Sequence, residues 1–320
     1  MSEAAAAPPT ERAATHASAR DYLSLLKPRV MSLVVFTALT GLVCADRPMN
    51  PILAAIAILC IAIGAGASGA LNMAWDADID AKMRRTRARP IPAGRVSRGD
   101  AAFFGGMLSL FSVMLMGLGV NWVAAGILGF TILFYAVVYT MWLKRSTPQN
   151  IVIGGLAGAL PPVVGWAAAT GTVPLNAWLL CAIIFMWTPP HFWALSLYTS
   201  GDYAKAGVPM MPVVKGAKST RLQILVYSLI LAPLGYAPVL TGLGGPIYAC
   251  VAIGGGALFL LLAVRLFRSN AGDTDAAGEG VLYGPKAGAR PARDLFAVSI
   301  LYLFSLFAAL LVEHGLRSVL

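Results

Sequence analysis

Charge is what this 320-residue chain has least of: Asp, Glu, Lys and Arg make up 12% of it, against 58% hydrophobic residues. With a mean hydropathy of +0.75, a pair of water-soluble domains is excluded. Cysteine and histidine are also scarce, at four and three residues. Cys44, Cys60, Cys181 and Cys250 form no Cys-x-x-Cys or Cys/His pattern, so a zinc cage or disulfide framework has no basis and packing is their better use. Polar/apolar alternation is missing too, which removes a transmembrane β-barrel. The tail Met1–Arg20 has no apolar signal core, and its Glu3 and Glu11 fit poorly with a transit peptide.

What the chain does have is a series of continuous apolar runs, nine in number, at about 28–45, 51–74, 100–119, 122–143, 150–169, 174–197, 221–241, 246–267 and 294–312. Each is long enough as a helix to cross about 30 Å of hydrocarbon, and in lipid a helix satisfies its own backbone. The expected fold is an all-α polytopic membrane protein of nine transmembrane helices. Residues 1–20 read as a flexible cytoplasmic tail, 21–320 as one nine-helix domain, and about 269–291 as a Gly/Ala-rich mobile linker.

The formal charge of +10 invites a nucleic-acid reading, but its distribution is topological. Of 24 Lys and Arg residues, 22 fall in the tail and alternate loops on one side, leaving Arg47 and Arg317 opposite. The positive-inside rule places those loops and the N-terminus in the cytoplasm of a bacterium, with the C-terminus in the periplasm. Nucleic acid is not an expected partner; the lipid bilayer is.

Two loops on the basic side are long and chemically rich, Asp76–Gly99 and Gly201–Thr220, and four spans separate them, which suggests an internal duplication with two polar loops sharing one site. The first begins with Asn72, Asp76 and Asp80 at strict four-residue spacing. On a helix each step of four advances about 40°, so the three share a face. Asp78 points away from them, to solvent or to an Arg. Seven basic residues follow without an acid: Lys82, Arg84, Arg85, Arg87, Arg89, Arg95 and Arg98. Oxygen ligands beside guanidinium groups suit a hard divalent cation carrying phosphate oxygens. Pro90 and Pro92 should end the helix near Arg89, leaving Arg85 and Arg89 four apart to fork onto one diphosphate.

In the sixth span Trp187, His191, Tyr198 and Asp202 fall within about 60° of one another if the helix runs on past Gly201. One face would then carry aromatic rings at depth and a carboxylate at the end. Lys205 and Gly207–Pro212 follow. Such rings either pack the bundle or line the path of an allylic chain. His191 is either an interhelical hydrogen-bonding residue or a contact to a bulky acceptor. The proline pairs Pro161–Pro162 and Pro189–Pro190 either kink their spans or break them around a cavity.

These residues carry a resemblance. Asn72-Met-Ala-Trp-Asp76-Ala-Asp-Ile-Asp80 resembles the first Asp-rich motif of the UbiA-type intramembrane prenyltransferases. Met83-Arg-Arg85-Thr86-Arg-Ala-Arg89-Pro90, Thr147–Gly155, Thr188-Pro-Pro-His191-Phe-Trp193 and Asp202-Tyr203 through Gly216 are similar to the narrower pattern of the haem-farnesylating branch, the protohaem IX farnesyltransferases or haem O synthases. The resemblance implies nine helices around a central cavity that opens near the cytoplasmic face, and Mg²⁺-dependent farnesyl transfer from farnesyl diphosphate to a vinyl group of haem B, giving haem O. It assigns Asn72, Asp76, Asp80 and Asp202 to Mg²⁺ and catalysis, and Arg85, Arg89 and Lys205 to the diphosphate. Trp187, His191 and Tyr198 fall to the isoprenoid and haem pocket. A downstream haem-modifying membrane enzyme is a candidate partner.

One departure stands out. The second block has a single carboxylate in register, Asp202, with Tyr198 four residues before it and Ala206 four after. A quinone-precursor prenyltransferase is the alternative enzyme. A secondary transporter fits less well, because the middles of the spans lack Asp, Glu, Lys and Arg.

Overall fold

In a computed structural model, residues 17–273 and 289–317 are described; most of the expected tail and the centre of the expected linker lie outside them. The described chain is helical. A short α1 (Ala19–Leu25) leads into α2 (Pro28–Cys44), α3 (Pro51–Trp75), α4 (Ala77–Lys82) and α5 (Arg98–Gly119). Next, α6 (Trp122–Leu133) runs through a π-helical stretch, Phe134–Leu143, into α7 (Lys144–Ser146). There follow α8 (Asn150–Ala159), α9 (Pro161–Thr170), α10 (Leu175–Tyr198), α11 (Ser200–Lys205), α12 (Met211–Val214), α13 (Gly216–Leu240), α14 (Pro246–Phe267) and α15 (Arg290–Arg317). Eight helices among the described residues are long and apolar enough to cross a membrane, and the bent pair α1/α2, at 51°, makes a ninth. The nine-span reading stands.

Local chemistry explains the ends. Ser18 accepts from the Asp21 amide while the Asp21 carboxylate accepts from the Ser18 amide, a capping box that starts a helix in a segment read from sequence as tail. Asn50, Ser97 and Asn121 cap α3, α5 and α6 with their side chains. At the far end of the bundle the buried Glu313 caps α14. Its carboxylate accepts from the amides of Gly245, Ile247 and Tyr248 at 2.5, 2.7 and 3.1 Å.

The proline pairs behave differently from each other. Pro161–Pro162 starts α9 after a break at Leu160, where a proline without N–H is harmless. Pro189–Pro190 leaves α10 a single helix from Leu175 to Tyr198, so of the two readings a break is excluded at this pair. Burial holds that helix together: most of its residues from Trp187 to Leu197 are inaccessible.

Small residues bring the helices close. Gly41 of α2 lies against the Pro162 backbone, and Gly165 of α9 lies against the Ala38 carbonyl, so these helices pack backbone to backbone. A second close approach positions the site. A Cβ on Gly69 of α3 would sit 3.2 Å from the Leu25 carbonyl, so the α1–α2 turn rides directly on α3. That turn holds Lys27 in the left-handed region (φ 52°, ψ 53°), directed at the end of α3. Cys44, Cys60 and Cys181 are buried and Cys250 is exposed.

Candidate active site

The polar end of the site is built where α3 stops. Backbone bonds continue through the junction, Asp76 N to Asn72 O at 2.9 Å and Asp80 N to Asp76 O at 2.8 Å. Asn72, Asp76 and Asp80 therefore keep a common side although Asp76 (φ −86°, ψ 11°) interrupts the helix. All three are buried, with relative exposures of 4%, 0% and 2%, which a solvated helix end would not show. The helix then ends at Lys82, because Met83 is extended. The expected continuation to Arg89 is corrected: Arg85 and Arg89 lie in turns. Arg89 folds back, its Nη1 donating to Asp80 Oδ2 at 2.6 Å, while the Thr86 hydroxyl donates to the Asp80 carbonyl at 2.9 Å.

Asp76 and Asp80 each have a cation beside them, as burial of charge demands. Lys144 donates to Asp76 Oδ2, and Arg145 lies 3.6 Å from Asp76 Oδ1. Arg145 also forks onto Asp78 at 2.7 and 2.9 Å. That guanidinium holds the Asp78 carboxyl at about 2, below its ordinary 3.8. Asn72 is spanned from two sides. Its amide nitrogen donates to Asp76 Oδ2 (2.7 Å) and to Thr140 Oγ1 (3.1 Å), and its oxygen accepts from Lys27 Nζ at 2.7 Å. The amide orients Asp76 and shares its own oxygen with a lysine.

The π-helical stretch explains how Thr140 and Lys144 arrive there. Winding by i→i+5 bonds widens the turn, so residues four and five apart flank one side. The Thr140 hydroxyl donates to the Tyr135 carbonyl at 2.8 Å. The rings of Tyr135 and Tyr139 lie 5.2 Å apart, and both line the cavity.

That cavity, about 820 Å³, links the polar end to an aromatic one. Lys27, Asn72, Asp80, Arg85, Arg89 and Lys144 line the first; Trp187, His191 and Phe192 line the second. Its wall includes exposed Val30, Leu301 and Phe304, so it reaches the lipid-facing surface between α2 and α15. A pocket of this size accommodates large organic ligands.

Other sequence candidates fall elsewhere. Asp76 lies behind the wall, reaching the cavity through Asn72 and Lys144. Tyr198 packs edge-on to Phe296 at 6.3 Å and is not a lining residue. The helix does not run on past Ser200: Thr199 (φ −115°, ψ 14°) ends α10, and α11 restarts the register. The continuous face carrying Tyr198 and Asp202 is therefore corrected. Tyr203, Val208 and Met210 turn to the cavity in place of Asp202 and Lys205.

Among the described residues no three His, Cys, Asp or Glu side chains form a metal cage, so a protein-only metal shell is not what this site offers. Three buried carboxylate or amide oxygens nonetheless have no hydrogen-bond donor among the described residues: Asp76 Oδ1, Asn150 Oδ1 and Asp202 Oδ1. Oxygens of this kind fit a hard divalent cation that takes the rest of its shell from water and phosphate.

Lys27, Tyr135, Tyr139, Thr140 and Lys144 were missed in the sequence. Lys27 and Lys144 read there as topological charge, and the only trace of the others is a polar and aromatic stripe at steps of four and five within one apolar span.

A family model described as the UbiA prenyltransferase family matches residues 34–279. The chain is 66% identical over 319 residues to a protoheme IX farnesyltransferase of Caulobacter vibrioides, covering 98% of this chain and 96% of that one. It is 65% identical to the protein of that name from Maricaulis maris, over 95% and 92%. Among solved structures, a digeranylgeranylglyceryl phosphate synthase aligns with a TM-score of 0.72 at 16% identity, over 92% of this chain and 98% of that one. A UbiA homologue from Archaeoglobus fulgidus bound to GPP and Mg²⁺ aligns with a TM-score of 0.63 at 16% identity, over 91% and 99%. At these identities the structural likeness concerns the fold.

Proposed function

This chain belongs to the UbiA prenyltransferase family, and from that premise we propose that it transfers the farnesyl group of farnesyl diphosphate to a vinyl group of haem B, giving haem O and diphosphate. The observation that carries the reading is the single cavity joining a cation-rich polar end to an aromatic end and opening toward lipid. The relatives' shared name supports the haem acceptor. The reaction sits on the cytoplasmic side of a bacterial inner membrane, a placement supported by the 22 basic residues on that side.

The diphosphate sits at the polar end. Arg85 and Arg89 neutralise charge that grows on it as the C–O bond ionises, with Lys27 and Lys144 close by. Asp80 at the cavity wall, with Asp76 and Asp202 behind it, would hold Mg²⁺ together with water and phosphate oxygens, and Asn72 keeps Asp76 oriented. Bound there, the metal supplies Lewis-acid stabilisation of the departing diphosphate. Lys205, at the exposed end of α11, adds positive charge at the entrance. Farnesyl extends along Tyr135, Tyr139 and Trp187, whose ring faces stabilise the allylic cation. The haem vinyl carbon takes that cation at C1, and water adds to the carbon left electron-poor and releases a proton. Tyr203, Val208 and Met210 close the top and limit premature hydrolysis.

The test is incubation of membranes containing the protein with haem B, farnesyl diphosphate and Mg²⁺, followed by pigment mass. The expected product carries one hydroxyethylfarnesyl side chain and disappears when the metal is chelated. Unchanged haem beside a prenylated phenolic acceptor would overturn the haem reading.

A further inference from the structure

The aromatic end contains a hydrogen-bond arrangement that fixes one histidine in one protonation pattern. His191 Nδ1 lies 2.7 Å from the hydroxyl of Ser299 on α15. That hydroxyl has a single proton, and it is directed at the Phe296 carbonyl at 2.6 Å. With its proton so placed, Ser299 Oγ accepts from His191, and in that tautomer Nδ1 carries the imidazole proton while Nε2 keeps its lone pair. The backbone holds the serine in place, because Trp187 Nε1 donates to the Ser299 carbonyl at 2.7 Å, and Ser299 is wholly buried.

The rest of the ring is equally constrained. It stacks on Trp187, centroids 4.2 Å apart at 17°, and on Phe296, at 4.6 Å and 22°. Two rings cannot share one face at those separations, so both faces are covered. His191 is 8% exposed and lines the cavity. Phe192 adds an edge-on contact at 5.2 Å and 85°; with two faces and Nδ1 taken, Nε2 is the polar atom the ring still has to offer a ligand. A stacking or hydrogen-bond-donating role is closed to it.

We propose that His191 Nε2 is an axial ligand to the iron of the acceptor, and that Ser299 is the positioning residue that presents it. A neutral imidazole whose other nitrogen donates to a fixed acceptor is the form that binds iron. Ligation anchors the porphyrin centre to α10 and so decides which of its two vinyl groups reaches the allylic carbon. This rests on haem B being the acceptor.

The experiment uses the full-length protein in detergent, titrated with haem B and, separately, with metal-free protoporphyrin IX. Resonance Raman and optical spectra of ferrous haem on the wild type are expected to show an iron–histidine stretch. The His191→Ala protein should lose it, and added imidazole should restore it. Ser299→Ala should lower the stretching frequency and weaken haem binding by about tenfold, while leaving porphyrin binding unchanged. Unchanged porphyrin binding also reports that each variant is folded. An iron–histidine stretch that survives His191→Ala, or haem binding indifferent to both substitutions, would overturn the ligation while leaving the acceptor in place. A wild type that binds neither haem nor porphyrin would overturn the acceptor reading and the ligation with it.

Discussion

The two long loops at the basic end occupy comparable places in the chain and do opposite work. The first, from α4 to Arg98, sends charge inward: Asp80 is buried and Arg89 is drawn onto it at 2.6 Å. The second, from α11 to α12, sends apolar side chains inward. Val208 and Met210 pack with Ile79, Met83 and Ile151 in one buried cluster against Tyr203, and Lys205 stays at the surface. Each side also contributes one buried carboxylate oxygen without a hydrogen bond among the described residues, Asp76 Oδ1 and Asp202 Oδ1. One loop carries buried charge toward the interior, and the other carries buried apolar side chains.

If that division is right, the largest losses come from the first loop. Asp76→Ala and Asp80→Ala are expected to abolish farnesyl transfer, read as pigment mass, while the protein still accumulates in membranes. Full activity in either variant would remove the metal role. Asp76→Ala also strips Lys144 of its buried counter-charge, so its thermal stability should fall further than that of Asp80→Ala. Asp202→Ala is the second-largest effect, a rate loss of about a hundredfold, the scale for removing one group that stabilises developing charge. A loss equal to that of Asp76→Ala would mean that the two loops act as a symmetrical pair.

Behind the loops, Thr140→Val tests the support of Asn72. Thr140 Oγ1 accepts from the Asn72 amide while its proton goes to Tyr135. Losing that acceptor costs about 1 kcal/mol, so kcat is expected to fall about fivefold at that energy. Transfer kinetics on the purified variant measure it, and an unchanged kcat would show that Lys27 and Asp76 hold the amide alone.

The same contrast marks what the sequence could tell. Span positions were legible because apolar runs, capping residues and proline at helix starts act locally. The register of Asn72, Asp76 and Asp80 was legible too, since four-residue bonds persist through the Asp76 distortion. The end of α4 at Lys82 and the break at Thr199 were not: no proline or glycine stands at either point, and the turns form because Arg89 reaches Asp80 and Val208 and Met210 reach a distant cluster. Pro189–Pro190 left a kink and a break equally open from local signals, and burial of the surrounding residues accompanies a continuous helix. Lys27 and Lys144 looked like their solvent-facing neighbours because only tertiary packing places them on Asn72 and Asp76.

The smallest effect lies at the boundary between charge that is buried and charge that is not. Asp78 is 44% exposed in its side chain and shares Arg145 with the buried Asp76. Its carboxyl is held at about 2 by that guanidinium. A lowered value means that the bond's contribution is complete above the ordinary value of 3.8 and fades as pH falls toward about 2. Exposure screens it, so Asp78→Asn should cost less than about 1 kcal/mol near neutral pH. Wild type and variant should converge in thermal stability only in strong acid. If Asp78→Asn instead lowers transfer activity at neutral pH, Arg145 needs Asp78 to keep it from closing onto Asp76, and the solvent-facing carboxylate belongs functionally to the buried set.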